Sequence, residues 1–147
     1  MECPVCKETM GSLEHEGHRL HRCIGCTGLL FSRESLRAIQ KEDDARLSTL
    51  LAASEDLPSR KRGTRHCPGC GKAMKSVAFE WDAGFEVDVC DSCALIWLDG
   101  GELRQIHEFL KKEHPEVIDS HLEFGSRKIF DWTKKMLLAL SRALPKV

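Results

Sequence analysis

The stretch that decides the fold is HCPGCGKAMKSVAFEWDAGFEVDVCDSCALIWLDGGEL, residues 66–103. It contains two C-x-x-C pairs, and the segment between them alternates apolar and polar residues on both sides of Asp82-Ala83-Gly84. Alternation interrupted by a glycine-containing turn is typical of an antiparallel hairpin. The alternating apolar positions are Val77, Phe79, Trp81, Phe85, Val87 and Val89. The stretch therefore predicts a hairpin with a cysteine pair at the base of each strand.

The spacing of these cysteines, C-x2-C-x19-C-x2-C, predicts a zinc site rather than four ordinary buried thiols. Zinc binds four thiolates tetrahedrally, and each C-x-x-C turn presents two sulfurs to one ion. A ribbon of this length buries too little apolar surface to fold unaided, so the metal is expected to contribute part of the folding free energy. The predicted ligands are Cys67, Cys70, Cys90 and Cys93.

The N-terminal part of the chain repeats this arrangement, with sixteen residues between its cysteine pairs and a hairpin turn at Glu16-Gly17. Residues 27–36, TGLLFSRESL, then align without gaps with residues 94–103, ALIWLDGGEL. Each copy is thus expected to contain a hairpin, a third strand and a helix. A second structural zinc ion is predicted at Cys3, Cys6, Cys23 and Cys26. Sequential pairing, which keeps each copy self-contained, is favoured over pairing Cys3/Cys6 with Cys90/Cys93.

The second copy resembles the transcription factor IIB-type zinc-ribbon family, whose small members begin C-P-x-C-G and end C-x-x-C-x-G-x-W-L-D-x-G-E-L. The residues that carry the resemblance are Cys67, Pro68, Cys70, Gly71, Cys90, Cys93, Trp97, Leu98, Asp99, Gly101, Glu102 and Leu103. The first copy keeps its four cysteines but has Lys7, Leu30 and Glu34 where the pattern has Gly, Trp and Gly, so we expect a looser fit around its metal. The resemblance covers about half of the chain. It implies zinc binding and, by analogy of fold, a role in transcription.

Helix signals follow each third strand. Asp99 with Glu102 forms a capping box for a helix ending near His114, since Pro115 disfavours helical geometry before it. Ser32 is the equivalent cap for a first helix that is expected to run through residues 41–44 and to end before Pro58. Its apolar positions are Leu36, Ile39, Leu47, Leu50 and Leu51.

The chain is therefore predicted to be a small metal-stabilised α+β protein with two zinc ribbons. Residues 1–40 form ribbon 1 and the start of its helix, and residues 41–64 form a helical segment and linker. Residues 65–114 form ribbon 2 with its helix, and residues 115–147 form a basic amphipathic C-terminal helix. The linker is SRKRGT at residues 59–64. Its basic residues Arg60, Lys61 and Arg62, with the nearby Arg65, suggest nucleic-acid binding, but a solvated linker is the favoured interpretation.

The C-terminal segment carries one apolar stripe at helical spacing. It consists of Ile129, Trp132, Met136, Leu137, Leu140 and Leu144. The net charge is +5 from Gly125 onward and −6 from Gly63 to Phe124. The stripe needs a covering surface, for which the alternatives are ribbon 2 or the first helix, a partner protein or second copy, and, least favoured, a membrane surface.

Charge and cysteine usage limit the function classes. Two zinc ions and eight thiolates change the formal net charge from −1 to −5, which is poorly matched to a phosphate backbone. C-x-x-C pairs without an export signal predict a reducing, cytoplasmic location. Four sulfurs per site leave no ligand position for substrate, so an enzyme is not expected. The predicted function is that of a non-enzymatic, zinc-binding adaptor or regulatory protein that binds other proteins, with a link to transcription or translation. Direct nucleic-acid binding is the alternative.

Histidines and aromatic residues are the remaining candidates for chemistry. His15, His18 and His21 are interpreted as surface residues, and His66 as an exposed or supporting residue rather than a ligand. Phe79, Trp81 and Phe85 resemble a base-stacking surface, but acidic neighbours favour core packing or docking of a helix.

Overall fold

A computed structural model describes residues 1–54, 63–79 and 83–115 of the chain. The elements in chain order are β1 (Gly11–His15), β2 (His18–Arg22), β3 (Leu29–Ser32), α1 (Arg33–Ile39), α2 (Asp44–Ala53), β4 (Lys75–Ala78), β5 (Glu86–Val89), β6 (Leu95–Leu98) and α3 (Glu102–Glu113). The predicted order of hairpin, third strand and helix is confirmed in both copies. Three parts of the prediction lie outside the described residues: Trp81, residues 59–62 of the linker and nearly all of the predicted C-terminal helix.

The first hairpin follows from its turn residues. Glu16 and Gly17 adopt φ angles of 47° and 79°, and a two-residue turn with both angles positive matches the twist of antiparallel strands. β1 then pairs with β2 from Gly11↔Arg22 to His15↔His18. β4 pairs with β5 in the same antiparallel way.

The two ribbons share one six-stranded sheet, in the order β1-β2-β3-β6-β5-β4. The antiparallel pairing of β3 with β6 joins them, with Leu30 opposite Trp97. Leu30 and Trp97 occupy the same position in the two copies. Replacing each residue of the flanking pair Leu29↔Leu98 by its counterpart in the other copy gives the other flanking pair, Phe31↔Ile96. The copies are therefore related by an approximate twofold axis through the Leu30–Trp97 pair. No pattern in the sequence predicts this junction.

The faces of the sheet have different coverings because side chains alternate along a strand. Leu29, Phe31, Ile96 and Leu98 belong to a large apolar core that also contains the inward residues of all three described helices. Leu30 and Trp97 belong to a second cluster. Its other buried members are Met10, Met74 and cysteines of both ribbons: Cys3, Cys23, Cys67 and Cys90. Helices thus cover one face, and the cysteine turns lie on the other.

The prediction of one continuous helix after ribbon 1 is wrong. α1 begins as predicted, because the Ser35 N–H donates to Oγ of Ser32 at 3.1 Å. It ends at Ile39, and a new helix begins at Asp44 after Asp43 accepts a bond from the Arg46 N–H at 3.0 Å. A carboxylate that satisfies a first-turn N–H makes Asp43 a helix start, which helical spacing alone does not reveal.

α3 ends where predicted, at Glu113 with His114 as its C-terminal cap, but its start differs from the prediction. Glu102 does reach back to the Asp99 N–H, at 2.8 Å. The N-terminal cap, however, is Gly101 with φ 89°, and the Asp99 side chain does not cap the helix. Its carboxylate instead accepts bonds from Trp97 and Arg65.

α2 runs antiparallel to α3 and ties the two copies together. At one end the Asp44 carboxylate accepts bonds from His107 at 2.6 Å and Lys111 at 2.7 Å. At the other end Arg104 donates to the Leu51 carbonyl at 3.4 Å. Because hydrogen bonds from Lys111 and His107 favour the ionised form, the pKa of Asp44 lies below its ordinary value.

Within the described residues, no helix has the length and apolar character needed to cross a bilayer.

Candidate metal centres

The four cysteines of ribbon 1 converge at one point. Sγ of Cys3 lies 3.5 Å from Sγ of Cys26, and Sγ of Cys6 lies 3.2 Å from Sγ of Cys23. Backbone N–H groups of the first turn point at Sγ of Cys3, from Val5 at 3.4 Å and from Cys6 at 3.5 Å. Such donors stabilise a thiolate, the form that binds zinc.

Ribbon 2 builds the same arrangement. Sγ of Cys70 lies 3.6 Å from Sγ of Cys90. The Gly69 N–H donates to Sγ of Cys67 at 3.3 Å, and the Cys93 N–H donates to Sγ of Cys90 at 3.4 Å. Both clusters therefore bring the cysteines together in the sequential arrangement, one cluster per ribbon.

The donor sets fit zinc. In each cluster all four sulfurs lie within 4.8 Å of one another. A tetrahedral zinc ion with Zn–S bonds of about 2.3 Å separates its ligand sulfurs by about 3.8 Å. The shortest contact, 3.2 Å, is far longer than a disulfide bond of about 2.05 Å, and all eight cysteines are free. In the parts of the chain that the structure describes, these are the two groups of candidate metal ligands.

Burial and hydrogen bonds shift the pKa values of the clustered thiols in both directions. Burial raises the pKa of Cys3 to about 11, and the hydrogen bond with Cys70 raises the pKa of Cys93 to about 12. Cys70 differs, because the backbone N–H of Lys72 lowers its pKa to about 7. A divalent cation would stabilise all four thiolates at once.

The comparison with protein families agrees with this geometry. The family model described as a transcription factor zinc-finger, the transcription factor IIB-type zinc ribbon, matches residues 2–42 and 66–108, more than half of the chain. The chain belongs to the transcription factor IIB-type zinc-ribbon family. It contains two ribbons in tandem, each of which can hold one structural zinc ion. No curated protein and no solved structure gives a match to it.

The first ribbon achieves the family geometry without the family glycine. Lys7 adopts φ 66°, close to the 74° of its counterpart Gly71. The Lys7 N–H bonds to the Cys3 carbonyl at 3.1 Å, as the Gly71 N–H bonds to the Cys67 carbonyl at 2.8 Å. We expected a looser fit around the metal of ribbon 1, but its cysteines are not more exposed than those of ribbon 2. Cys6 and Cys26 are half-buried, whereas Cys70 and Cys93 are exposed.

The interpretation of Arg65 as a solvated residue beside the basic linker is wrong. Arg65 is 6% exposed, and its guanidinium binds the carboxylates of Asp88 and Asp99, the latter at 2.7 Å. Asp99 in turn accepts a bond from Nε1 of Trp97 at 2.9 Å. Although burial opposes the charged form, the two carboxylates raise the pKa of Arg65. Arg65 therefore supports the central Trp97 rather than lying in solvent, a role that its position beside SRKRGT concealed.

Among the described residues, no histidine belongs to either cluster. The prediction that all three N-terminal histidines are surface residues is wrong for His15. Nε2 of His15 lies 2.6 Å from Oε2 of the buried Glu42, which joins β1 to the loop before α2. His18 and His21 are half-buried, and burial lowers the pKa of His21. His66 is exposed.

Two of the three candidate aromatic residues pack inward. Phe79 and Phe85 stack with ring centroids 5.3 Å apart, and Phe109 of α3 meets Phe79 edge-on at 6.1 Å. Phe79 is buried. The rings therefore hold α3 against the second hairpin, in agreement with the core-packing interpretation.

Proposed function

We propose that this protein is a non-enzymatic, zinc-stabilised adaptor or regulatory protein that docks a protein partner in transcription or translation. Its zinc ions are structural, since four sulfurs complete a tetrahedral shell and leave no position for water or substrate. The cytoplasm is its proposed location, because a reducing compartment keeps the cysteines available as ligands.

A protein partner is preferred over nucleic acid because the basic side chains of ribbon 2 are already bound within the chain. Every Lys and Arg between Gly63 and Pro115 has a partner within the chain. Carboxylates bind Arg65, Lys75, Lys111 and Lys112. Lys72 donates to Ser92 and Arg104 to a backbone carbonyl. Charges already neutralised by carboxylates contribute little to phosphate binding, which depends on release of counterions from phosphates.

Two apolar features support docking. Ile24, at the tip of the second cysteine turn of ribbon 1, is 75% exposed. Its counterpart in ribbon 2 is Asp91, which binds Lys75. The amphipathic pattern of residues 125–147 supplies a second element, whose stripe is expected to insert into a groove of the partner.

The test is affinity capture from the protein's own cells with the intact chain, with and without nuclease treatment. The matched variant Trp132→Ser/Leu140→Ser keeps the length and charge of the tail but removes two stripe residues. We expect a partner that survives nuclease with the intact chain and is lost with this variant. The control Ser141→Ala, off the stripe, should retain it. Equal recovery with all three chains would contradict docking through the tail.

Direct nucleic-acid binding is the alternative, suggested by the family's description as a transcription factor zinc-finger. It requires recovery that is lost with nuclease and an affinity that falls steeply with added salt. Neutralising Arg60, Lys61 and Arg62 would then reduce that salt dependence. A salt-dependent complex that this triple variant abolishes would replace the adaptor proposal.

A further inference from the structure

The two cysteine clusters differ in the exposure of the second cysteine of each C-x-x-C turn. In ribbon 1, Cys6 and Cys26 are half-buried and pack against the apolar cluster of Leu30 and Trp97. The equivalent residues of ribbon 2, Cys70 and Cys93, are exposed. Because the ribbons are copies within one chain, each serves as the reference for the other.

The difference follows from the residues at the tips of the cysteine turns. Val5 in ribbon 1 packs against the apolar cluster beside Cys6. Its counterpart in ribbon 2 is Gly69, which has no side chain. A Cβ at Gly69 would lie 3.4 Å from Sγ of Cys93 and 3.2 Å from Cδ1 of Leu95. The glycine therefore leaves open the approach to Cys93 that a side chain would cover.

We propose that ribbon 2 is a thiol-oxidation site at which a peroxide releases zinc, while ribbon 1 keeps its zinc. Exposed thiolates are the cysteines that peroxides oxidise. Oxygen is transferred from hydrogen peroxide to the Cys93 sulfur, giving a sulfenic acid and one hydroxide. The Cys70 thiolate then attacks that sulfur, forming the Cys70–Cys93 disulfide and releasing a second hydroxide.

The step balances and the geometry permits it. Two thiolates lose two electrons, and the peroxide is reduced to two hydroxide ions. The sulfurs of Cys70 and Cys93 lie within 4.8 Å of each other, so that a small shift joins them. Only Cys67 and Cys90 then remain as thiolate ligands in ribbon 2, which is too few for a structural zinc site.

The experiment treats the zinc-loaded full chain with limiting hydrogen peroxide and measures released zinc with a chromogenic chelator. Trypsin then separates the four cysteine pairs into four peptides: 1–7, 23–33, 66–72 and 76–104. We expect release of one of the two zinc equivalents and a disulfide joining peptides 66–72 and 76–104, with the cysteines of peptides 1–7 and 23–33 still reduced. Equal oxidation of both ribbons, or release by the chelator without peroxide, overturns the proposal.

Two matched variants test the cause of the selectivity. Gly69→Ala covers the Cys93 sulfur at a position whose φ is not in the left-handed region, so it should slow zinc release from ribbon 2. Val5→Gly opens the first ribbon and should bring release of its zinc closer to the rate at ribbon 2. If both variants hold two zinc ions and release them as the parent chain does, accessibility does not set the selectivity and the proposal fails.

Discussion

Lys7 occupies a backbone conformation that side chains disfavour. Its φ of 66° places it in the left-handed region, where a residue with a Cβ is strained by about 1–2 kcal/mol relative to the right-handed form. We expect Lys7→Gly to stabilise the zinc-loaded protein by about 0.5–1 kcal/mol, since glycine relieves the strain but adds freedom to the unfolded chain. Denaturant unfolding at fixed free zinc measures the change.

Gly71 provides the control for this prediction. A Cβ at Gly71 would meet no atom within 4 Å, so Gly71→Ala tests backbone strain alone. It should destabilise ribbon 2 by about 1 kcal/mol. If Lys7→Gly were neutral while Gly71→Ala cost this amount, the two turns would not be equivalent, contrary to the repeat.

Gly28 lies against the indole of Trp97, across the junction between the ribbons. A Cβ at Gly28 would lie 2.1 Å from Cζ2 of that ring, too close without movement of the ring. We expect Gly28→Ala to reduce the free energy of unfolding by about 1–3 kcal/mol, the usual cost of overpacking. Trp97→Leu in the same chain removes the clashing atoms, so the two changes should be less than additive in denaturant unfolding. Additive losses would contradict the contact.

Among single residues, the sequence predicted correctly those whose side chains have one dominant chemical role. The cysteine pairs are recognisable because zinc requires four ligands at short spacing, and Ser32 because a hydroxyl before a helix satisfies a free N–H. Arg65 was interpreted as solvated because charged side chains usually are, and Asp99 as a helix cap because Glu102 follows it by three residues. In the fold the two side chains bind each other. Their partners depend on the fold.

Among the elements, α2 owes its start to one side chain. Asp43 is exposed and its carboxylate accepts the Arg46 N–H. Asp43→Ala should therefore cost about 1 kcal/mol of stability, while Asp43→Ser, which keeps a capping oxygen, should cost less. Thermal unfolding of the two zinc-loaded variants distinguishes them. Equal stabilities of the two variants would mean that the capping oxygen does not contribute to the start of α2.

Local signals predicted the elements better than their connections. Alternation and turn residues located the hairpins, and the repeat alignment located β3 and β6. The break between α1 and α2 was missed because Leu36, Ile39, Leu47 and Leu50 keep nearly helical spacing across it and are all buried. A periodic apolar pattern records which residues face the core but not whether the helix between them is continuous.

For the whole molecule, the pairing of β3 with β6 converts two ribbons into one sheet with a common cluster beneath both zinc sites. The sequence could not predict it, since each third strand pairs with a strand of its own ribbon along one edge and no local signal shows what pairs with its other edge. The register places Leu30 opposite Trp97, the residue at the same position in the other copy. This is the geometry of a twofold interface, in which both copies use the same surface.

The zinc content of the whole protein should depend on pH. Without metal, Cys3 and Cys93 have pKa values of about 11 and about 12, so both are protonated near neutrality. Zinc displaces these protons, and lowering the pH favours the protonated, metal-free form. Competition with a chelator should therefore show a lower apparent zinc affinity at about pH 6 than at about pH 8. An affinity that does not change over this range would exclude thiolate ligands.

The most direct test of the account is zinc-edge X-ray absorption on the purified full chain, combined with its metal content. Two closed four-cysteine sites predict two zinc ions per chain and a shell of four sulfurs at about 2.3 Å. The serine variant of one ligand, Cys90→Ser, should lower the sulfur count or the metal content. A single zinc per chain, or a nitrogen or water ligand in the native shell, would contradict the claim that both ribbons are closed structural sites.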